Sequence, residues 1–246
     1  SKTLKLPYLV QAARDRLMPD IDGLGIAKAD VIIEAIIENA QAKQDLFTLL
    51  ETKAKPNAIL ATNTSTIPLA TIGEKLKNPQ RVVGIHFFNR VPLMQLVEVV
   101  ADTNTDKQVV ENAMVFVGKI DKLPLPVKSA PGFLVNRVLI EYLLESAALY
   151  LEGVPGPVID RAATDYGMMM GPIELMDNIG LDICIAAAGS LGKPLPELVV
   201  NMVKNGQLGK KTASGFYVYK NGKLIKPKVD PAVKIPEDIT DRLFMR

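Results

Sequence analysis

A single histidine in 246 residues narrows any search for proton-transfer chemistry, because imidazole is the one side chain whose ordinary pKa lies near neutrality. His86 stands in Gly84-Ile85-His86-Phe87-Phe88-Asn89, where an apolar strand runs out into a loop. In open α/β sheets, ligands bind beyond the carboxyl ends of the strands. Alone, a histidine there reads as structural. Glu98 changes the balance: in Leu96-Val97-Glu98-Val99-Val100 it is a carboxylate inside an apolar run, and such groups are rarely left unpaired. A buried glutamate bonded to one imidazole nitrogen fixes the tautomer and leaves the other nitrogen facing substrate. It also stabilises the imidazolium formed when a hydroxyl proton is taken, which is general-base alcohol oxidation. The competing reading points Glu98 to solvent from an edge strand.

Two further segments carry polar groups at the ends of predicted elements. Ala61-Thr62-Asn63-Thr64-Ser65-Thr66 ends a strand with four hydroxyls and an amide, suited either to hydrogen-bonding a polar ligand or to a cap or turn. Pro131-Gly132-Phe133-Leu134-Val135-Asn136-Arg137 reads as a junction and first helical turn, or as a segment that turns Asn136 toward the sheet. A glycine-rich G-x-G-x-x-G loop after a strand is missing. Its nearest look-alike, Gly23-Leu24-Gly25-Ile26-Ala27-Lys28, precedes a strand, lacks the third glycine and reads as a turn.

The elements that must position these residues follow from periodicity. Ala29 to Ala35, Ala58 to Thr62, Arg81 to Phe88, Gln95 to Val100 and Leu123 to Val127 read as strands, and Asn39 to Lys55 as a helix. Continuous apolar strands alternating with helices predict an α/β domain with a Rossmann-like parallel sheet. After Pro131-Gly132 the pattern becomes helical, through Phe133 to Leu151, Val158 to Tyr166, Ile173 to Ala188 and Leu195 to Lys204, so an all-α part follows. Proline and glycine at 153–157, 171–172 and 193–194 separate those helices. Lys220 to Pro236 reads as an extended linker. The predicted organisation is residues 1–128 for the sheet domain, 129–222 for a helical substrate and dimerisation domain, and 223–246 for a linker and the start of a further helical domain.

Bulk properties exclude several classes. A 48% hydrophobic content buries a real core, and a net charge of +2 from 29 basic and 27 acidic residues leaves no basic stripe for nucleic acid. No run approaches the roughly 20 apolar residues of a membrane span, and Ser1-Lys2-Thr3-Leu4 lacks a signal-peptide core. One cysteine, Cys184, forms no internal disulfide and fits a reducing, cytoplasmic setting. The chain starts without methionine and stops at Arg246 inside a predicted helix opened by Glu237 and Asp238, so both ends read as cut.

The segments Asn63-Thr64-Ser65, His86-Phe87-Phe88-Asn89, Leu96-Val97-Glu98, Pro131 to Arg137, and Met170-Gly171-Pro172 through Gly180-Leu181-Asp182 occur in an order and spacing that resemble the L-3-hydroxyacyl-CoA dehydrogenase family. The resemblance spans approximately Asp30 to Tyr219 and includes the dehydrogenase part of multifunctional fatty-acid β-oxidation α-subunits. It implies an NAD-binding Rossmann domain, a helical C-terminal domain and acyl-CoA between them. It assigns His86 as the base for the 3-hydroxyl, Glu98 as its orienting partner, and Ser65 and Asn136 to the substrate oxygen with Asn89 close by. Glu38, Lys43, Asn63 and Lys211 match cofactor-side positions.

The sequence also departs from the family pattern: Arg90 replaces proline after H-F-F-N, Met168-Met169 replace a smaller stretch, and the first strand and glycine loop that hold the NAD pyrophosphate are missing. The apolar helices after Gly132 suit a homodimer, while the resemblance implies a thiolase-containing β-oxidation complex and an excerpt of a longer protein that also carries an enoyl-CoA hydratase module. Two alternatives stand beside this reading: a 3-hydroxybutyryl-CoA dehydrogenase, and a non-catalytic helical assembly fragment of a β-oxidation complex.

Overall fold

A computed structural model describes residues 6–229 and 236–245. The chain divides into two compact units, Ser1–Phe133 and Leu134–Arg246. The first contains α1 (Pro7–Asp15), β1 (Val31–Glu34), α2 (Ala40–Lys53), β2 (Ile59–Thr62), α3 (Leu69–Gly73), β3 (Val82–Phe87), β4 (Leu96–Ala101), α4 (Lys107–Lys119) and β5 (Leu123–Lys128). All five predicted strands are present, in the consecutive order β1-β2-β3-β4-β5. Helices α1, α3 and α4 were not anticipated.

Three of the four strand pairings are parallel, and β3 with β4 is antiparallel. Connection length explains the difference from an all-parallel sheet. A helix lies between the strands of each parallel pair, whereas residues 88–95 join β3 to β4 directly, which is the connection an antiparallel pair needs. Side chains alternate between the two faces. Leu60, Val82 and Val100 pack with Phe47 and Leu50 of α2 and Leu69 and Ile72 of α3. Ile59, Ala61, Val83, Ile85, Val97 and Val99 pack with Ala113 and Val117 of α4. Asn39 caps α2 by accepting from the Ala42 N–H at 2.9 Å, a contact of about 1 kcal/mol.

Two local sequence choices make the sheet possible. Gly84 pairs with Val100, and a Cβ at position 84 would lie 2.6 Å from Val100 Cβ, so only glycine lets β3 approach β4 there. Strand β5 is an edge and contains Pro124 and Pro126, which lack ladder N–H groups; Leu123 and Ser129 donate instead to Gln95 and Ala101.

The second unit contains α5 (Val135–Leu151), α6 (Gly156–Tyr166), α7 (Pro172–Ile179), α8 (Leu181–Ser190), α9 (Glu197–Lys204), β6 (Val218–Lys220), β7 (Lys223–Ile225) and α10 (Ile239–Phe244). The predicted single helix over Ile173 to Ala188 is two helices, because Gly180 takes φ +106° and ends α7. Pro196 delays α9 to Glu197. The predicted linker over Lys220 to Pro236 begins instead as a hairpin: Asn221 and Gly222 both take positive φ, as a tight two-residue turn requires, and join β6 to β7. Residues 230–235 of that stretch and Arg246 lie outside the described residues, as does Ser1-Lys2-Thr3-Leu4.

One core joins the helices and the hairpin: Leu143, Leu149, Ile159, Ile173, Met176, Leu181, Val199, Tyr217 and Tyr219 are all buried in it. Ile239 and Leu243 of α10 sit in the same core, and Arg242 bonds Glu145 at 2.6 Å and Glu152 at 2.6 and 2.8 Å. Two buried carboxylates tie the hairpin down. Asp160 accepts from the Ile173 and Glu174 N–H groups at the start of α7 and from the Tyr217 hydroxyl. Asp177 accepts from the Phe216 and Tyr217 N–H groups and the Tyr219 hydroxyl. Cys184 is buried, which pushes its thiol up to about 12 and leaves it a small hydrophobe. Among the described residues no helix is long and apolar enough to cross a membrane, and no group of three or more His, Cys, Asp or Glu side chains could hold a metal ion.

Candidate active site

Antiparallel register sets His86 of β3 directly opposite Glu98 of β4, and cross-strand partners share a face of the sheet. His86 Nδ1 lies 2.8 Å from Glu98 Oε2. Glu98 is 0% exposed on an interior strand, which excludes the reading in which it faces solvent. An ionised carboxylate only accepts, so with neutral imidazole the hydrogen sits on Nδ1 and the lone pair on Nε2. The rings of Phe88 and Phe133 stand edge-on to the imidazole, with centroids 4.7 and 5.6 Å away. These apolar walls lower the local dielectric and strengthen the bond they enclose.

The carboxyl ends of β1 and β2 carry a second polar cluster. Glu38, just after β1, accepts through Oε1 from the Thr64 hydroxyl at 2.5 Å, the Ser65 N–H at 3.2 Å, the Thr66 N–H at 3.3 Å and the Thr66 hydroxyl at 3.0 Å. Its Oε2 is 3.3 Å from Lys43 Nζ. Burial works to raise the Glu38 pKa, but Thr64, Thr66 and Lys43 outweigh it and hold the carboxyl below the usual glutamate range. Lys43 is fully buried and also donates to Glu34 Oε1 at 2.7 Å. Its ammonium is thus committed within the protein.

Asn63 turns its side chain across the strand ends and accepts from the Phe87 N–H at 2.8 Å, fixing the backbone beside His86. Ser65 is partly buried and Asn89 is exposed just past β3. The first unit therefore brings together His86 with Glu98, Glu38 with Lys43 and the Ser65 turn, and Asn63 with the strand bearing His86. In the second unit Asn136 is the second residue of α5, and Lys211 Nζ pairs with Asp182 at 2.5 and 2.6 Å, which holds the Asp182 carboxyl down.

Sequence reasoning passed over Glu34, named Thr62 and Thr64 only as members of the polar Ala61–Thr66 segment, and gave Phe88 and Phe133 no role as walls of the site. For Glu34 the signal was available: Val31-Ile32-Ile33-Glu34 ends an apolar run on a carboxylate, the same pattern that singled out Glu98. The residues present suit the sugar and amide side of a dinucleotide, with a half-exposed carboxylate, hydroxyls and an amide at the ends of parallel strands. The Gly23-Leu24-Gly25 turn offers no diphosphate cradle, because the Leu24 and Gly25 N–H groups already donate to Asp20 at 2.9 and 2.6 Å.

Comparison with known proteins matches residues 7–130 to the family model described as 3-hydroxyacyl-CoA dehydrogenase, NAD binding domain, and residues 132–219 to the model for the 3-hydroxyacyl-CoA dehydrogenase C-terminal domain. A fatty acid oxidation complex subunit alpha of Vibrio cholerae is 36% identical over 230 residues, covering 91% of this chain and 32% of that protein. The chain thus spans about a third of the length of the curated relatives it matches. Among solved structures, 3-hydroxybutyryl-CoA dehydrogenase of Escherichia coli is 35% identical with a TM-score of 0.83, covering 94% of this chain and 50% of that one. The (S)-3-hydroxybutyryl-CoA dehydrogenase of Ralstonia eutropha is 31% identical with a TM-score of 0.82, covering 89% and 81%.

Proposed function

This chain belongs to the 3-hydroxyacyl-CoA dehydrogenase family, and from that premise we propose that the protein oxidises L-3-hydroxyacyl-CoA to 3-ketoacyl-CoA in fatty-acid β-oxidation, with NAD as cofactor, His86 as general base and Glu98 as its partner. The observation that carries the proposal is the buried 2.8 Å bond between His86 Nδ1 and Glu98 Oε2. Glu98 holds the Nδ1–H tautomer, so Nε2 accepts the proton of the 3-hydroxyl as the carbonyl forms. The imidazolium produced is then stabilised by a carboxylate that needs no reorganisation. When bound, NAD supplies the acceptor for the hydride leaving the same carbon.

In this reading Ser65 and Asn136 hydrogen-bond the substrate oxygen, and Asn89 lies on the substrate side. Glu38, Lys43, Asn63 and Lys211 serve the cofactor side. The burial of Lys43 supports a role through Glu38 rather than direct contact. The two solved neighbours named for 3-hydroxybutyryl-CoA favour a short-chain substrate as the second reading. The relatives named as subunits of a fatty acid oxidation complex support assembly into such a complex; a thiolase-containing complex in the cytoplasm, with a homodimer as the alternative, completes the proposal. NADH oxidation with acetoacetyl-CoA by the intact protein tests the proposal. Turnover that falls with acyl-chain length supports the short-chain form, and the absence of turnover leaves the non-catalytic assembly role.

A further inference from the structure

Glu34 ends β1 and is buried, yet no step of the proposed chemistry uses it. Its Oε1 accepts from Lys43 Nζ at 2.7 Å and from the Ile36 N–H at 2.6 Å, and its Oε2 accepts from the Thr62 hydroxyl at 2.7 Å. That bond dictates where the Thr62 proton points and leaves the Thr62 oxygen to accept from the Thr64 N–H at 3.2 Å. Thr64 donates its own hydroxyl to Glu38, and Glu38 meets Lys43.

These contacts close a ring through Glu34, Lys43, Glu38, Thr64 and Thr62 that joins the ends of β1 and β2 to the first turn of α2. Each limb leads back to a single carboxylate. We infer that Glu34 is a positioning residue that sets, through this ring, both the Glu38 carboxylate on the cofactor side and the Ser65 turn on the substrate side.

The physical argument is one of alternatives. Lys43 is buried and needs a fully buried counter-charge, because Glu38 is partly exposed and screened by solvent. A neutral Glu34 leaves Glu38 to neutralise Lys43 alone and draws it away from the four donors of the Thr64–Thr66 turn. The inference rests on the dehydrogenase reading, since that reading places Glu38 and Ser65 beside the ligands.

The test compares wild type with Glu34→Gln and Thr62→Val in the intact protein. Amide hydrogen exchange without cofactor, NADH affinity by fluorescence titration, and steady-state kinetics with acetoacetyl-CoA are the readouts. The expected result for Glu34→Gln is faster exchange confined to Thr64–Ile67 and loss of about tenfold in NADH affinity, with KM for acetoacetyl-CoA raised. The pH profile of kcat stays unchanged because His86 and Glu98 are untouched. Thr62→Val, which cuts one limb of the ring, gives a smaller change of the same kind. Wild-type exchange and affinity in both variants overturn the inference, as does faster exchange spread over the whole first unit. Should Glu34→Gln fail to fold, Thr62→Val decides alone. A wild-type protein that neither binds NADH nor turns over overturns the dehydrogenase reading and this inference together; wild-type turnover with unaltered variants overturns the inference only.

Discussion

His86 and Glu98 are cross-strand partners in the antiparallel β3–β4 pair, and their side chains meet at 2.8 Å on the face of the sheet occupied by Phe133. The pair is therefore aligned by the backbone ladder itself. A side-chain rotation at either residue breaks the contact, but no movement of a loop is needed to make it.

His86→Gln removes the acceptor of the hydroxyl proton and leaves the surrounding walls in place. Its kcat in the intact protein falls by about 10²–10⁴-fold while binding of acyl-CoA is largely kept. Glu98→Gln lowers kcat in the same direction because a neutral amide stabilises imidazolium less well. Steady-state kinetics with acetoacetyl-CoA and NADH, set beside acyl-CoA affinity, checks both; unchanged kcat in His86→Gln sinks the assignment.

Gly84→Ala forces a Cβ to within 2.6 Å of Val100 Cβ, both on strands of the site. Overpacking of this kind costs about 1–3 kcal/mol. Thermal unfolding should show a lowered Tm, and kcat should fall with it, because the separation of β3 and β4 is also the separation of His86 and Glu98.

Glu38 in the first unit and the buried pair Asp160 and Asp177 in the second respond to acid with opposite signs. Glu38 is held below the usual range in the fold, so its contribution to stability is present above the ordinary glutamate pKa and is lost as pH falls through the lowered folded value. Burial raises Asp160 and Asp177, so their contribution is fully present below the ordinary aspartate pKa and is lost as pH rises through their raised values. Amide resonances recorded against pH should therefore show the Thr64–Thr66 turn loosening on acidification, with the α7 start and the Phe216–Tyr217 amides unaffected or firmer.

Asp177→Ala leaves the Phe216 and Tyr217 N–H groups and the Tyr219 hydroxyl without their acceptor inside the helical unit. Each buried polar group left unsatisfied costs about 1–3 kcal/mol. Denaturant unfolding should show the second unit losing several times that of an ordinary surface substitution, and a midpoint equal to wild type would contradict the structure.

Short apolar runs bounded by turn residues made the five strands readable, and one awkward carboxylate beside one histidine made the central pair readable. Strand direction was not, since periodicity carries no sign; the eight residues between β3 and β4 held that information in their brevity. Helix α4 was overlooked although Asp106 caps it and Val109, Val110, Ala113 and Val117 recur at helical spacing. Asn221-Gly222 was a hairpin signal hidden inside a lysine- and proline-rich stretch. The burial of Lys43 lay beyond sequence reasoning, because a lysine on an amphipathic helix ordinarily reaches water, and only the fold reveals the two carboxylates that hold it inside.

Pro124 and Pro126 lie on the outer strand of the sheet with their missing N–H groups on the side away from β4. A strand that offers so few donors is a poor template for another strand. Growth of the sheet from this border into filaments or swapped dimers is thereby discouraged, which directs any association of this unit through β5 toward side-chain contact instead of backbone pairing.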